Sequence, residues 1–176
     1  TSEQVRQYVG EGLTRFLEKA LLNPTPSELA EAKKWFHEYY RKHLITYTKP
    51  YPGIQEILDF FSNKKKAVLT NKPLDYTQHI LSALNLDHYF DVIMGSSDEL
   101  PLKPHPDGIH QILKETQVSA DKTIMIGDGE TDIMAGKAAN VITCAVGYGF
   151  RDVEYLLSLE PDFLIENVYE LKTIIR

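Results

Sequence analysis

From residue 66 onward the sequence alternates short apolar runs with amphipathic helical stretches, and this alternation narrows the fold more than anything else in it. The runs are Lys66–Asn71, Phe90–Met94, Thr123–Gly127, Val141–Val146 and Asp162–Ile165. Between and around them, Ile54–Phe61, Asp75–Leu84, Pro106–Thr116, Glu130–Ala139 and Val168–Ile175 carry helical periodicity. Strands that are apolar throughout are covered on both faces, and helices alternating with them make the crossovers that parallel pairing requires. The pattern predicts a doubly wound α/β domain with a parallel sheet. Asn140 stands where the helix over 130–139 needs a residue that tolerates a left-handed backbone.

The first part of the chain follows another grammar. Leu13, Phe16, Leu17, Ala20 and Leu21 share one helical face, and Asn23-Pro24 ends that helix. Thr25-Pro26-Ser27-Glu28 is a capping box with proline at the first helical position, and opens a helix running to about Leu44. Tyr47–Gly53 is rich in proline and aromatics and reads as a semi-rigid linker. The chain thus divides into a helical part at 1–46, a linker at 47–53 and an α/β core at 54–176.

Composition bounds the partners. A net charge of −6 argues against a nucleic-acid footprint and requires local cations if the ligand is an anion. Cys144 is the sole cysteine, which fits a reducing, cytoplasmic setting. Ser2–Tyr8 is polar and lacks the apolar core of a signal peptide, and no run of apolar residues is long enough to span a bilayer. The expected partner is a small metabolite, met by a monomer or homodimer.

In open α/β sheets ligands bind beyond the carboxyl ends of the strands. There the sequence puts Thr70, Asn71 and Lys72, then Lys103 in a loop stiffened by Pro101, Pro104 and Pro106, then Asp128 and Asp132 across a helix start. Two carboxylates spaced i, i+4 lie on one side of a helix, and an oxygen-loving cation relieves their repulsion. They are also what an ordinary helix start carries as caps; their glycine neighbours and the shared rim favour the metal reading. Gly127-Asp128-Gly129 imitates a dinucleotide fingerprint, but the third glycine position is Asp132, whose charge opposes a pyrophosphate.

These residues resemble, in order, the second, third and fourth motifs of the haloacid dehalogenase-like superfamily: Thr70-Asn71-Lys72-Pro73, Lys103-Pro104-His105-Pro106 and Gly127-Asp128 with Asp132. Lys49–Gly53 and Tyr8–Leu13 look like the phosphoglycolate phosphatase branch with its small helical cap. The resemblance implies a phosphatase acting on phosphoglycolate, pyrophosphate or another small phosphomonoester. Thr70 Oγ and the Asn71 N–H would hold the phosphoryl group, with Lys72 in the same binding set and the Gly10–Gly12 loop near the leaving group. Lys103 would neutralise phosphoryl charge. Asp128 would ligate Mg²⁺, with Asp132 acting through water or from behind.

The family's first motif, Asp-x-Asp-x-Thr, carries the nucleophile and general acid and lies on a core strand. Asp59, Asp75, Asp91, Asp98 and Asp107 all fail that pattern. The resemblance therefore implies a missing first core strand, a sequence that begins inside the cap, and a segment of about 30–40 residues, from typical element lengths, ahead of it. It also implies a sheet gap that the neighbouring strands, the chain's first residues or a second copy must close. As printed the chain is expected to be inactive; the alternative is a phosphate- or metal-binding or structural remnant. A phosphate-signalling receiver domain is disfavoured, because there the acidic residues precede the threonine and the lysine.

Overall fold

The computed structural model describes residues 4–5, 8–97 and 100–175. Helix α1 spans Leu13–Leu21 and α2 spans Pro26–His43. At the start of α2 the expected capping box is formed: the Glu28 N–H donates to Thr25 Oγ1 at 3.3 Å, and the Thr25 N–H donates to Glu28 Oε2 at 2.8 Å. Leu22 and Asn23 take left-handed conformations between the two helices.

The core elements follow in the order α3 (Ile54–Phe60), β1 (Ala67–Pro73), α4 (Leu74–Ala83), β2 (Val92–Ser96), α5 (Asp107–Thr116), β3 (Ile124–Gly127), α6 (Glu130–Ala138), β4 (Ile142–Val146), α7 (Val153–Ser158), β5 (Phe163–Ile165) and α8 (Leu171–Ile174). All strand pairs are parallel. One face of the sheet carries α3 and α8, where Ile57, Phe61 and Leu171 pack on Cys144, Val146 and Ile165. The opposite face carries α5, α6 and α7. Ile109, Ala135 and Ala139 pack there with Leu69 and Met125, and Ile133 and Leu156 pack with Ala145. This is the doubly wound α/β architecture.

Three details differ from the sequence expectation. The strand expected at 90–94 begins at Val92, because Asp87–Tyr89 forms a 3₁₀ turn and Asp91 turns its carboxylate back to the Lys66 N–H at 2.9 Å. The last helix splits: Asn167 accepts from the Tyr169 N–H and sets a 3₁₀ turn at Val168–Glu170 before α8. The helix α7 was not expected at all, although its Leu156 is fully buried.

The sheet is in two parts, β2-β1 and β3-β4-β5, and among the described residues no ladder joins β1 to β3. Of the three expected ways of closing the gap, pairing of β1 with β3 is the one these two half-sheets do not show. Ile126, on what would be an inner strand, is 38% exposed. At the rim Val9 O accepts from Arg151 and Gly10 O from Asn71, both at 2.8 Å; the chain's first residues, which the sequence offered for closing the gap, lie largely outside the described residues. The two half-sheets are held together by the helices across them. Gly108 of α5 lies so close to β1 that a Cβ there would sit 2.7 Å from Leu69 Cδ1. Among the described residues no helix is long and apolar enough to cross a membrane.

Candidate active site

The carboxyl ends of β1 and β3 and the loop before α5 meet at one rim. Lys103 is its centre. Its ammonium donates to the Leu69 carbonyl of β1 at 2.7 Å and to Asp132 Oδ1 of α6 at 2.6 Å. Its side chain is 8% exposed and that of Asp132 11%, so this is a buried ion pair spanning the slot between the half-sheets. The proline-rich loop thus turns the lysine inward, as the sequence suggests. Asn71 fixes the loop: its Nδ2 donates to the Gly10 and Lys103 carbonyls at 2.8 and 2.9 Å, and its Oδ1 accepts from the Lys103 N–H at 2.9 Å.

Thr70 lines the same cavity as Lys103, its Oγ1 accepting from the Lys72 N–H at 3.2 Å. Between Leu69 and Pro73 the β1–β2 register shifts, and pairing resumes at Pro73 with Ser96. The Lys72 ammonium bonds the Tyr40 hydroxyl and sits 4.7 Å from the centre of that ring on α2.

Asp128 and Asp132 are both at the β3–α6 turn but in different settings. Asp132 Oδ2 accepts from the Gly129 N–H at 3.1 Å, so one carboxylate oxygen caps α6 and the other serves Lys103. A Cβ at Gly127 would lie 2.3 Å from that carboxylate, so glycine there is what lets Asp132 fold back on the strand end. Asp128 Oδ2 accepts from the Phe150 N–H at 2.9 Å. Gly149 makes this approach possible, since a Cβ there would stand 2.2 Å from Asp128 Cβ. The Gly147-Tyr148-Gly149 stretch after β4 is the wall against which Asp128 rests.

A second ion pair at the rim was not foreseen. Arg151 forks onto Glu130, Nε to Oε2 at 2.6 Å and Nη2 to Oε1 at 3.0 Å, while Nη2 also reaches Val9 O. The guanidinium holds the Glu130 carboxyl below its usual range, and Glu130 in turn raises Arg151. The Gly10–Gly12 loop is thereby fastened on both sides, to β1 through Asn71 and to the β4 loop through Arg151. Nothing in the spacing of Glu130 and Arg151 announces their meeting.

The donor set suits a hard cation only in part. Asp128 is a carboxylate at the rim; Asp132 and Glu130 are committed to Lys103 and Arg151; and among the described residues no group of three His, Cys, Asp or Glu side chains forms a metal cage. That fits an ion such as Mg²⁺, which keeps several waters and takes one or two carboxylates plus phosphate oxygens, and does not fit a metal needing a full protein cage.

A doubly wound core with a buried lysine, a threonine and an aspartate on one rim belongs to a class of α/β hydrolytic proteins, and comparison with known sequences names the family. The profile of the haloacid dehalogenase-like hydrolases matches residues 1–146, and the chain belongs to that family. It is 33% identical to a phosphoglycolate phosphatase of Aquifex aeolicus, over 96% of this chain and 78% of that protein. It is 29% identical to the pyrophosphatase PpaX of Listeria welshimeri, over 100% of this chain and 80% of that protein. Among solved structures it is similar to a haloacid dehalogenase-like family protein of Streptococcus pneumoniae, with a TM-score of 0.87 and 26% identity, covering 99% of this chain and 81% of that one. The homologues make this a phosphatase-type chain.

Proposed function

We propose that this chain carries the phosphoryl-binding and metal-binding part of a Mg²⁺-dependent, cytoplasmic phosphatase for a small phosphomonoester of the phosphoglycolate kind. One observation supports the reading above others: Lys103 is buried, aimed at the slot, and flanked by Thr70 and the Asp128–Asp132 turn. Thr70 Oγ1 and the Asn71 N–H receive the phosphoryl oxygens. Lys103 places a positive charge beside them, and Asp132 holds that lysine in place. Asp128 holds the cation, which supplies charge stabilisation to the transferring phosphoryl group. The attacking group is an aspartate on a strand that fills the slot between β1 and β3, and the reaction proceeds through an aspartyl-phosphate. Residues 1–46 act as the cap and 54–176 as the core, with Gly10 and Gly12 near the leaving group. Without that strand the chain binds phosphate and metal but does not turn over.

Two expected outcomes test the binding part. Thr70→Val keeps the side-chain shape and removes the hydroxyl; it should weaken vanadate or phosphate binding tenfold or more, about 1.4 kcal/mol. Lys103→Ala should weaken it at least as much, with circular dichroism confirming that both variants fold. Unchanged affinity in both places the anion elsewhere. Asp128→Asn retains an oxygen for the Phe150 N–H, so its fold should persist while Mg²⁺-linked thermal stabilisation is lost. An equal Mg²⁺-dependent shift in the two proteins puts the cation at another site.

A further inference from the structure

Helix α2 runs over 18 residues, and none of them is fully buried. Its inner side is occupied. Phe36 stands 6.0 Å from Phe16 of α1 and Tyr40 5.5 Å from Tyr76 of α4, and His37 Nδ1 meets the Tyr76 hydroxyl. Its outer side carries Trp35 and Tyr39, 63% and 68% exposed, with Glu31, Lys34, Glu38 and Lys42 around them. Spacings of three and four put these six residues on one face. The rings are already placed: Trp35 Nε1 donates to Glu31 Oε1 at 3.5 Å, and Tyr39 stacks 4.1 Å from His43. Large aromatic side chains framed by charges are the composition of a protein interface, where the rings anchor and the charges form the rim.

The order of the charges says what the partner is. Lys34 and Glu38, Glu31 and Lys42, and Trp35 and Tyr39 are all centred on the same point of the helix, at Phe36 and His37. A two-fold axis through that point, across α2, lays the α2 of a second copy antiparallel on the first. Trp35 then meets Tyr39 of the second copy, Glu31 meets its Lys42, and Lys34 meets its Glu38, and each contact occurs twice. A parallel arrangement would set Glu31 on Glu31 and Lys42 on Lys42, and juxtaposed like charges are costly. Of the two arrangements, the face complements itself in the antiparallel one.

We propose that the Trp35–Tyr39 face of α2 is the interface of a symmetric dimer, its occupant a second copy of this chain. The dimer joins the helical parts back to back. The rim lies on the inner side of α2, where Lys72 reaches Tyr40, and stays outside the contact.

Sedimentation equilibrium of the full chain tests this. The wild type should be dimeric at micromolar concentration. Trp35→Ser combined with Tyr39→Ser should raise the dimer dissociation constant about thirtyfold or more, the loss expected of aromatic anchors. Circular dichroism should be unchanged, because both side chains lie outside the packed structure. Glu31→Lys and Lys42→Glu should each weaken self-association about fivefold, since each sets like charges against each other. Mixed in equal amounts, these two variants should associate as tightly as the wild type, because each chain then offers the charge that the other needs. Lys34→Glu and Glu38→Lys repeat the test on the second charge pair. A monomeric wild type, a dimer equally tight without the two rings, or no recovery on mixing for either charge pair overturns the proposal. So does a dimer that is lost when the chain is extended at its N-terminus, which would show that the added segment covers this face.

Discussion

Asp132→Ala is expected to destabilise the fold by about 3–5 kcal/mol, the usual result of stripping one partner from a buried ion pair. The variant leaves the Lys103 ammonium, 8% exposed, with only the Leu69 carbonyl. It also removes the acceptor for the Gly129 N–H at the start of α6, a cap loss of about 1 kcal/mol. Against a typical domain stability of about 5–15 kcal/mol this is a large fraction. The exposed pair Arg15–Glu18 offers the contrast: both side chains are well solvated, so Glu18→Ala should change stability by less than about 1 kcal/mol. The double variant Lys103→Met with Asp132→Leu leaves no orphaned charge and should recover part of the loss. Urea titration of the variants gives the comparison. A loss below about 1 kcal/mol for Asp132→Ala would show that the lysine finds another counter-charge and that the pair does not hold the rim together.

The order of chemistry along the chain was legible because it depends on local pattern. A strand ending in Thr70, a proline-bound Lys103 and a glycine-flanked Asp128 each sit where an α/β sheet puts its ligands, and the structure gathers the three at one rim. The contacts that define the site's walls were not legible. Gly149 lies against Asp128, Arg151 forks onto Glu130 and Tyr40 receives Lys72; each is a tertiary meeting across a long stretch of chain, with no periodicity to announce it. Lys72 shows the limit most clearly. Adjacency to Thr70 and Asn71 groups it with them in sequence, and nothing in that adjacency announces its contact with Tyr40 of α2. The helix α7 has only six residues, too few for a periodic pattern to emerge. The slot between β1 and β3 follows from the motif that the resemblance implies; among the described residues the two strands do not pair across it, and helices α5 and α6 bridge the halves with Ile126 38% exposed.

The slot also carries the second large effect. Strands flanking an absent neighbour are two spacings apart, about 9–10 Å, enough for one more strand. A strand there would end beside Thr70, Lys103 and Asp128. Among the described residues the acidic side chains at the rim have other roles: Asp132 serves Lys103 and Gly129, Glu130 serves Arg151, and Asp128 rests on Phe150 and is proposed to hold the cation. A phosphoryl-transfer site tolerates misplacement of only about 0.5 Å. The chain by itself should therefore hydrolyse no aryl phosphate above the Mg²⁺-containing buffer. The same chain extended at its N-terminus by about 30–40 residues, one strand bearing Asp-x-Asp plus its connection, should hydrolyse it in a Mg²⁺-dependent way. Changing the first of the two aspartates to asparagine should return the rate to background. The decisive measurement is turnover of one aryl phosphate by the two proteins side by side. Activity confined to the extended chain is the predicted result, and equal turnover by both would show that a carboxylate already present in this chain is the nucleophile, contradicting the account.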